Sequence, residues 1–255
     1  VVYGEADDDV VLFDAQGADR LTGHIAVFGG DGDDLITVNR LHTRTEEMDL
    51  DGEGDTDRYV VNTTGASDYV INVADSGAAD DGADRLTING TDADDVMLVR
   101  SEFVAHLQPT GDDEPRFEDA LERINYDEAI NGRLRLNSAG GDDEIYTDDN
   151  SSMMTLDGGP GEDFFQIGQV FGLERIAPQV TTGDEIETVE TTLGYLSRGI
   201  SFPTTVYGGD DGDRFVVYSN KALLKLFGEN GNDEFVIRAF VIVGTDELAS
   251  TDAEL

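Results

Sequence analysis

The chain repeatedly sets a short turn of glycines and acids directly against an apolar strand, and this limits what it can fold into. Residues 206–217 read VYGGDDGDRFVV, and LFGENGNDEFVI follows at 226–237. Turns are commonly polar, but two carboxylates about 4 Å apart repel by roughly 4 kcal/mol at an effective dielectric near 20. A fold that gathers such turns needs something to offset that charge.

The arrangement recurs along most of the chain: GEADDDVV (4–11), DAQGADRL (14–21), GGDGDDLI (29–36), DGEGDTDRYV (51–60), ADDGADRL (79–86), GTDADDVM (90–97), SAGGDDEI (138–145), GGPGEDFF (158–165), GGDDGDRF (208–215) and GENGNDEF (228–235). Each turn reaches an Asp and, one or two residues later, an apolar strand residue. The strands LITV, RYVV, YVINV, RLTI, VMLV, FFQI, RFVV and EFVI are rich in β-branched and aromatic residues and bounded by turns. A unit this small cannot bury its apolar side alone, whereas stacked units make a continuous core. The expectation is an all-β protein, a parallel β-roll or β-helix solenoid of about eight coils spanning residues 1–255 as one domain. At a strand separation of roughly 4.8 Å its body would be about 40 Å long.

These segments resemble the nonapeptide G-G-x-G-x-D-x-U-x of the repeats-in-toxin (RTX, hemolysin-type) family. GGDGDDLIT (29–37) and GGPGEDFFQ (158–166) match every defined position, while SAGGDDEIY, GGDDGDRFV and GENGNDEFV lose one or two glycines. The resemblance implies several Ca²⁺ ions, each shared by turns of adjacent coils. It implies shared pairs Asp34 with Asp57, Asp143 with Asp163 and Asp213 with Asp233. Gly30, Gly32, Gly54, Gly159, Gly161, Gly209 and Gly231 stand where carbonyls complete the sites, and Asp84 and Asp211 belong to the same set. A regular roll repeats every nine residues, whereas here the best turns recur at about twenty, as from Asp143 to Asp163. One good turn and one degenerate turn per coil then predict a row of Asp9, Asp34, Asp57, Asp84, Asp143, Asp163, Asp213 and Asp233. An opposite row would carry Asp19, Asp68 and Asp95.

The chemistry of the turns fits a hard cation. Calcium takes six to eight oxygens at about 2.3–2.6 Å, magnesium demands tighter octahedral geometry, and zinc would lack its usual Cys and His donors. Cysteine is absent, and the three histidines, His24, His42 and His106, are dispersed. With 56 Asp plus Glu against 16 Lys plus Arg, the net charge of −40 argues against nucleic acid and anionic membrane as partners. The hydrophobic share of 38% is low but above that of a simple disordered chain, and no apolar run is long enough for a transmembrane helix. The opening VVYGEADDDVVLF has no initiating Met or signal-peptide core, which suggests a processed chain or a piece of a longer one.

Two segments interrupt the pattern, at about 100–132 and 168–204. In the first, Phe117, Leu121 and Ile124 fall at helical spacing after Pro115, while EFVAHL and RINYD also read as strands. The expected function is a non-enzymatic, calcium-rigidified scaffold of a secreted or cell-surface protein. Its partners would be calcium ions and neighbouring solenoid domains or cell-surface components. Export through a type I system is what the resemblance implies. Two alternatives remain beside it: a polysaccharide-active β-helix enzyme using Arg133, Arg135, Tyr126 and Asp143, and a salt-adapted surface without specific metal sites. Salt adaptation accounts for the charge and the scarcity of lysine, but it predicts evenly spread acid rather than periodic Asp turns.

Overall fold

Strong alternation of apolar and polar residues in runs of four to seven produces strands wherever the chain is regular. In the computed structural model, which describes residues 1–14, 21–42, 44, 46–78, 81–108, 121–180 and 185–243, there are no helices among the described residues. The chain alternates between two sheets. Strands β1 (Val2–Ala6), β3 (Ile25–Asp31), β5 (Met48–Gly54) and β7 (Tyr69–Ala74) lie side by side in an eleven-stranded sheet. Strands β2 (Val10–Asp14), β4 (Leu35–Asn39), β6 (Arg58–Asn62) and β8 (Arg85–Asn89) do the same in an eight-stranded sheet. Every one of these neighbours pairs in parallel. We call the crossing from the larger sheet to the smaller the outbound corner, and the crossing back the return corner.

The regular winding changes once. After β8 the chain crosses the larger sheet three times, on β9 (Val96–Val99), β10 (Phe103–Leu107) and β11 (Leu121–Asn125). Strand β10 runs antiparallel to both neighbours, while β11 pairs in parallel with β7. The chain then returns to alternation through β12 (Arg133–Asn137), β13 (Glu144–Thr147), β14 (Met154–Pro160) and β15 (Phe164–Ile167). Of the two readings of the first interruption, the strands hold: Leu121 and Ile124 lie in β11, and Phe117 lies outside the described residues. Cross-strand pairing on both sides outweighs the local helical spacing.

The second interruption forms a separate three-stranded antiparallel sheet of β16 (Val170–Phe171), β17 (Thr188–Thr191) and β18 (Gly194–Ser197). Strands β19 (Thr204–Asp210), β20 (Arg214–Val217), β21 (Leu224–Glu229) and β22 (Glu234–Ile237) resume the alternation.

Side chains at alternate positions stack in rows between the sheets. Val38, Val61, Ile88, Leu136, Leu156 and Val206 form one such row, all fully buried and in direct register. Each buried side chain of this size contributes about 1.5–3 kcal/mol of transfer free energy. In the larger sheet Phe165, Phe215 and Phe235 stack face to face, with centroids 5.0 and 4.7 Å apart. On the outer face of the smaller sheet the terminal residues of β4, β6, β8 and β12 make a side-chain ladder. Asn137 donates to Asn89 and Asn89 to Asn62, each at 2.7 Å, and Asn39 donates to Asp14 at 2.6 Å. Arg135 closes this ladder by pairing with Asn137 and Asp157.

Phe215→Ala removes the buried middle ring of this stack. It should lower unfolding free energy by about 3–5 kcal/mol in urea denaturation followed by circular dichroism.

Candidate metal corners and a three-carboxylate centre

Each Gly/Asp turn is held against its neighbour by the same bond. At the outbound corner the N–H of Asp9 donates to Oδ1 of Asp34 (2.7 Å), Asp34 to Asp57 (2.8 Å), and Asp57 to Asp84 (2.9 Å). At the return corner the N–H of Asp95 donates to Oδ1 of Asp143 (2.7 Å), Asp143 to Asp163 (2.9 Å), Asp163 to Asp213 (3.0 Å), and Asp213 to Asp233 (3.1 Å). The carbonyl of each Asp then accepts the first N–H of the next circuit's strand, as from Phe164 to Asp143 and from Arg214 to Asp163. An apolar strand directly after the Asp therefore locks the turn's height in the stack.

The single predicted row is thus two rows. Asp9, Asp34, Asp57 and Asp84 stand at the outbound corner, whereas Asp143, Asp163, Asp213 and Asp233 stand at the return corner together with Asp95. The Gly/Asp turns change corner across β8, with Asp84 before it at the outbound corner and Asp95 after it at the return corner, so turns that read alike in sequence fall on opposite edges. Within each row the expected pairs Asp34 with Asp57, Asp143 with Asp163 and Asp213 with Asp233 are neighbours, as are Asp163 and Asp213. Asp68 precedes β7 at the return corner, and Asp19 lies outside the described residues.

Both rows stop at the triple crossing on residues that are not turn acids. The N–H of Asp84 donates to Oδ1 of Asn131 (3.0 Å), an amide in the place of a carboxylate. Asp95 meets the buried His106 Nε2 at 3.0 Å, which holds its carboxyl below the usual range once burial is outweighed. His106 Nδ1 lies 2.8 Å from Thr63 Oγ1. Beside it Glu122 reaches into the turn between β6 and β7, whose own acid, Asp68, is exposed. It accepts bonds from the N–H groups of Thr64, Ala66 and Ser67 and from the hydroxyls of Thr64 and Tyr69. Nothing in the repeat pattern pointed to Asn131, His106 or Glu122, because their partners come from strands distant in sequence.

Where a turn opens on glycine the carboxylate leaves no room for a side chain, whereas the Asp143 turn opens on Ser138, whose hydroxyl donates to the Gly158 carbonyl. A Cβ added at Gly158 would lie 2.2 Å from Oδ2 of Asp163, and one at Gly208 would lie 1.9 Å from Oδ2 of Asp213. Of the other expected glycines, Gly30, Gly32, Gly159, Gly161, Gly209 and Gly231 take positive φ between 99° and 139°. Gly54 does not, and the nearest atoms to a Cβ there are 3.5 Å away, so its position has room for a side chain. Asp211 is exposed at φ 78°.

What the corners lack is a partner for the second oxygen. Oδ2 of Asp34, Asp57, Asp143, Asp163 and Asp213 is buried with no hydrogen-bond donor. Glu122, equally buried, has five. Leaving such an acceptor bare costs about 1–3 kcal/mol, and more if charged. Burial, with neighbouring carboxylates adding to it, pushes Asp57 and Asp163 up to about 7 and Asp143 and Asp213 up to about 6.

Asp57, Asp75 and Asp84 also converge, with one ligand oxygen from each within 4.8 Å of the others. Each pair of charges at that separation repels by about 3–4 kcal/mol at an effective dielectric of 20. Burial and the adjoining Asp84 carboxyl push Asp75 up to about 8. This buried cluster could hold a metal ion.

The arginines weighed for an enzyme are engaged elsewhere. Arg133 donates to Thr155 (2.8 Å), Arg135 pairs with Asp157, and the Tyr126 hydroxyl donates to the Arg100 carbonyl (2.7 Å).

Two outcomes follow for the metal-free protein. Folded-state pKa values raised from about 3.9 to about 6–7 mean that the native state binds more protons than the unfolded chain across that window. That stability is complete below about pH 4 and is lost as pH rises through 7. Thermal melts in chelator should therefore show a midpoint that falls steadily from pH 5 to pH 8. Asp163→Asn keeps the Oδ1 acceptor, as Asn131 does naturally, and removes a bare buried charge. In chelator at pH 8 it should raise urea stability by about 1–3 kcal/mol. No family model, curated protein or solved structure matches the chain, so its functional reading rests on the geometry of these corners.

Proposed function

We propose that the chain is a β-solenoid of the β-roll kind that binds several calcium ions between its stacked corners and serves as a scaffold in a secreted or cell-surface protein. The observation that carries this reading is the set of five buried Asp oxygens without donors, repeated along both edges of the body. An ion between neighbouring turns would give each of these oxygens a partner and cancel the repulsion along the row. Oxygen-only donors suit a hard cation, and a flexible set of six to eight ligands suits calcium better than magnesium. Carbonyls around Gly30, Gly32, Gly159, Gly161, Gly209 and Gly231 would add to the carboxylates.

Such a chain couples folding to its surroundings. A net charge of −40 opposes compaction, and many glycines raise the entropy lost on ordering. Each bound ion adds stability by mass action. Extracellular calcium modules commonly have dissociation constants of about 10⁻⁴ to 10⁻³ M, which leaves the chain loose in a low-calcium cell and folded outside. Neighbouring solenoid domains or cell-surface components would be the partners of the rigid form.

Calcium titration followed by far-ultraviolet circular dichroism tests the reading. The β signal and the melting midpoint should rise with calcium and fall in EDTA. The double variant Asp163→Ala with Asp213→Ala should lose at least about tenfold in calcium affinity, the loss of about 1.4 kcal/mol of binding. A β signal indifferent to both calcium and EDTA, with unchanged affinity in the variant, would favour the salt-adapted surface instead.

A further inference from the structure

One outbound corner of the row from Asp9 to Asp84 is longer than the other three. Between β7 and β8 the chain takes ten residues, 75–84, where the other three corners of the row take three each, and the stretch includes Asp75, which belongs to no Gly/Asp repeat. Asp75 converges with Asp57 and Asp84. Asp75 and Asp84 also line a cleft of about 650 Å³, together with Asp81, Asp127, Glu128 and Asn131.

The oxygens of the three carboxylates are already sorted. Oδ1 of Asp57 accepts from Asp34, Oδ1 of Asp84 from Asp57, and Oδ1 of Asp75 from Gly77. Asp57 is fully buried and its Oδ2 has no donor; Oδ2 of Asp75 has none either. A bare Oδ2 on Asp57 and on Asp75 thus remains for an ion, Asp84 standing beside them, and ligand oxygens within 4.8 Å of one another fit around a hard cation with bonds of about 2.3–2.6 Å.

We propose that Asp57, Asp75 and Asp84 form a divalent-cation centre, for calcium, that differs in kind from the corner sites: it is held on one side only and opens to the cleft. Three protein oxygens leave about three to five of calcium's six to eight positions for water. An ion here exchanges water with the cleft, whereas an ion between two stacked turns is enclosed. The centre rests on the corner reading for Asp57 and Asp84, which belong to the row, and is distinguished from it by Asp75, which lies outside the repeats.

Terbium(III) replaces calcium and emits when a nearby tyrosine absorbs. A Cβ at Gly52 would lie 2.0 Å from Asp57 Oδ2 and 2.6 Å from the Tyr59 hydroxyl, so Tyr59 stands beside the centre. The full chain titrated with terbium should show a tyrosine-sensitised component whose lifetimes in H₂O and D₂O report about three or more bound waters. Asp75→Asn, which retains an acceptor for the Gly77 N–H, and Asp75→Ser should each weaken that component at least about tenfold, and Asp163→Asn should leave it intact. Circular dichroism of the Asp75 variants in chelator checks that they fold as the wild type does. Unchanged emission and affinity in both Asp75 variants would overturn the proposal, as would a dry shell around every bound terbium. Retention of the component in a chain whose β structure ignores calcium would count against the corner reading alone.

Discussion

The bond from the N–H of one turn's aspartate to the carboxylate of the next sets the geometry of both edges of this protein. It engages Oδ1 at 2.7–3.1 Å in every rung and so fixes where Oδ2 must go. In the turns that open on glycine that second oxygen folds back over it, where even a methyl group would collide with it; in the Asp143 turn Ser138 takes the place. The motif's spacing of glycine and aspartate follows from this contact. So does the apolar residue after the aspartate, because the aspartate carbonyl begins the next strand's pairing. One interaction thus accounts for the turn, for the strand that follows it, and for the buried oxygen left without a donor.

The triple crossing is where the two rows of turns end. A regular circuit would cross the larger sheet once between β8 and β12; three crossings widen that sheet, and the Gly/Asp turns lie at the outbound corner before β8 and at the return corner after it. The inserted strands also complete the corners they interrupt. His106 on β10 meets Asp95, and Glu122 on β11 fills the turn between β6 and β7, whose own acid, Asp68, is exposed. Glu122 gives the internal comparison for the rows. A buried carboxylate in this protein can be fully supplied with donors, so the bare Oδ2 atoms are a property of the corners and not of burial as such.

The strands and the stacking were legible in the sequence because both follow from local periodicity: alternation in RYVV or RLTI, and an aspartate held at a constant distance from the strand after it. The neighbouring pairs along each row could be read for the same reason. The split into two rows could not, since GGDGDDLI and GGPGEDFF are alike locally and differ only in which sheet precedes them. Asp75 was missed because it is tied to Asp57 and Asp84 by stacking rather than by spacing. One signal was present and unused: LITVN, RYVVN, RLTIN and RLRLN all end in asparagine, and those four side chains stand in the outer ladder of the smaller sheet.

The two kinds of polar ladder divide the work between neutral and charged groups. Asparagine both donates and accepts, so a row of asparagines satisfies itself from rung to rung and needs nothing from outside. Ionised aspartate only accepts, and the backbone offers it one N–H per rung for two oxygens. A row of aspartates is therefore short of positive charge by construction, however well its backbone is paired. The protein uses the self-sufficient ladder on its exposed face and the deficient one at its buried corners, where a bare acceptor costs most. Substituting asparagine throughout the corners would have kept every Oδ1 bond, as Asn131 demonstrates in one rung. That the corners carry carboxylates instead is the physical ground for expecting a cation there.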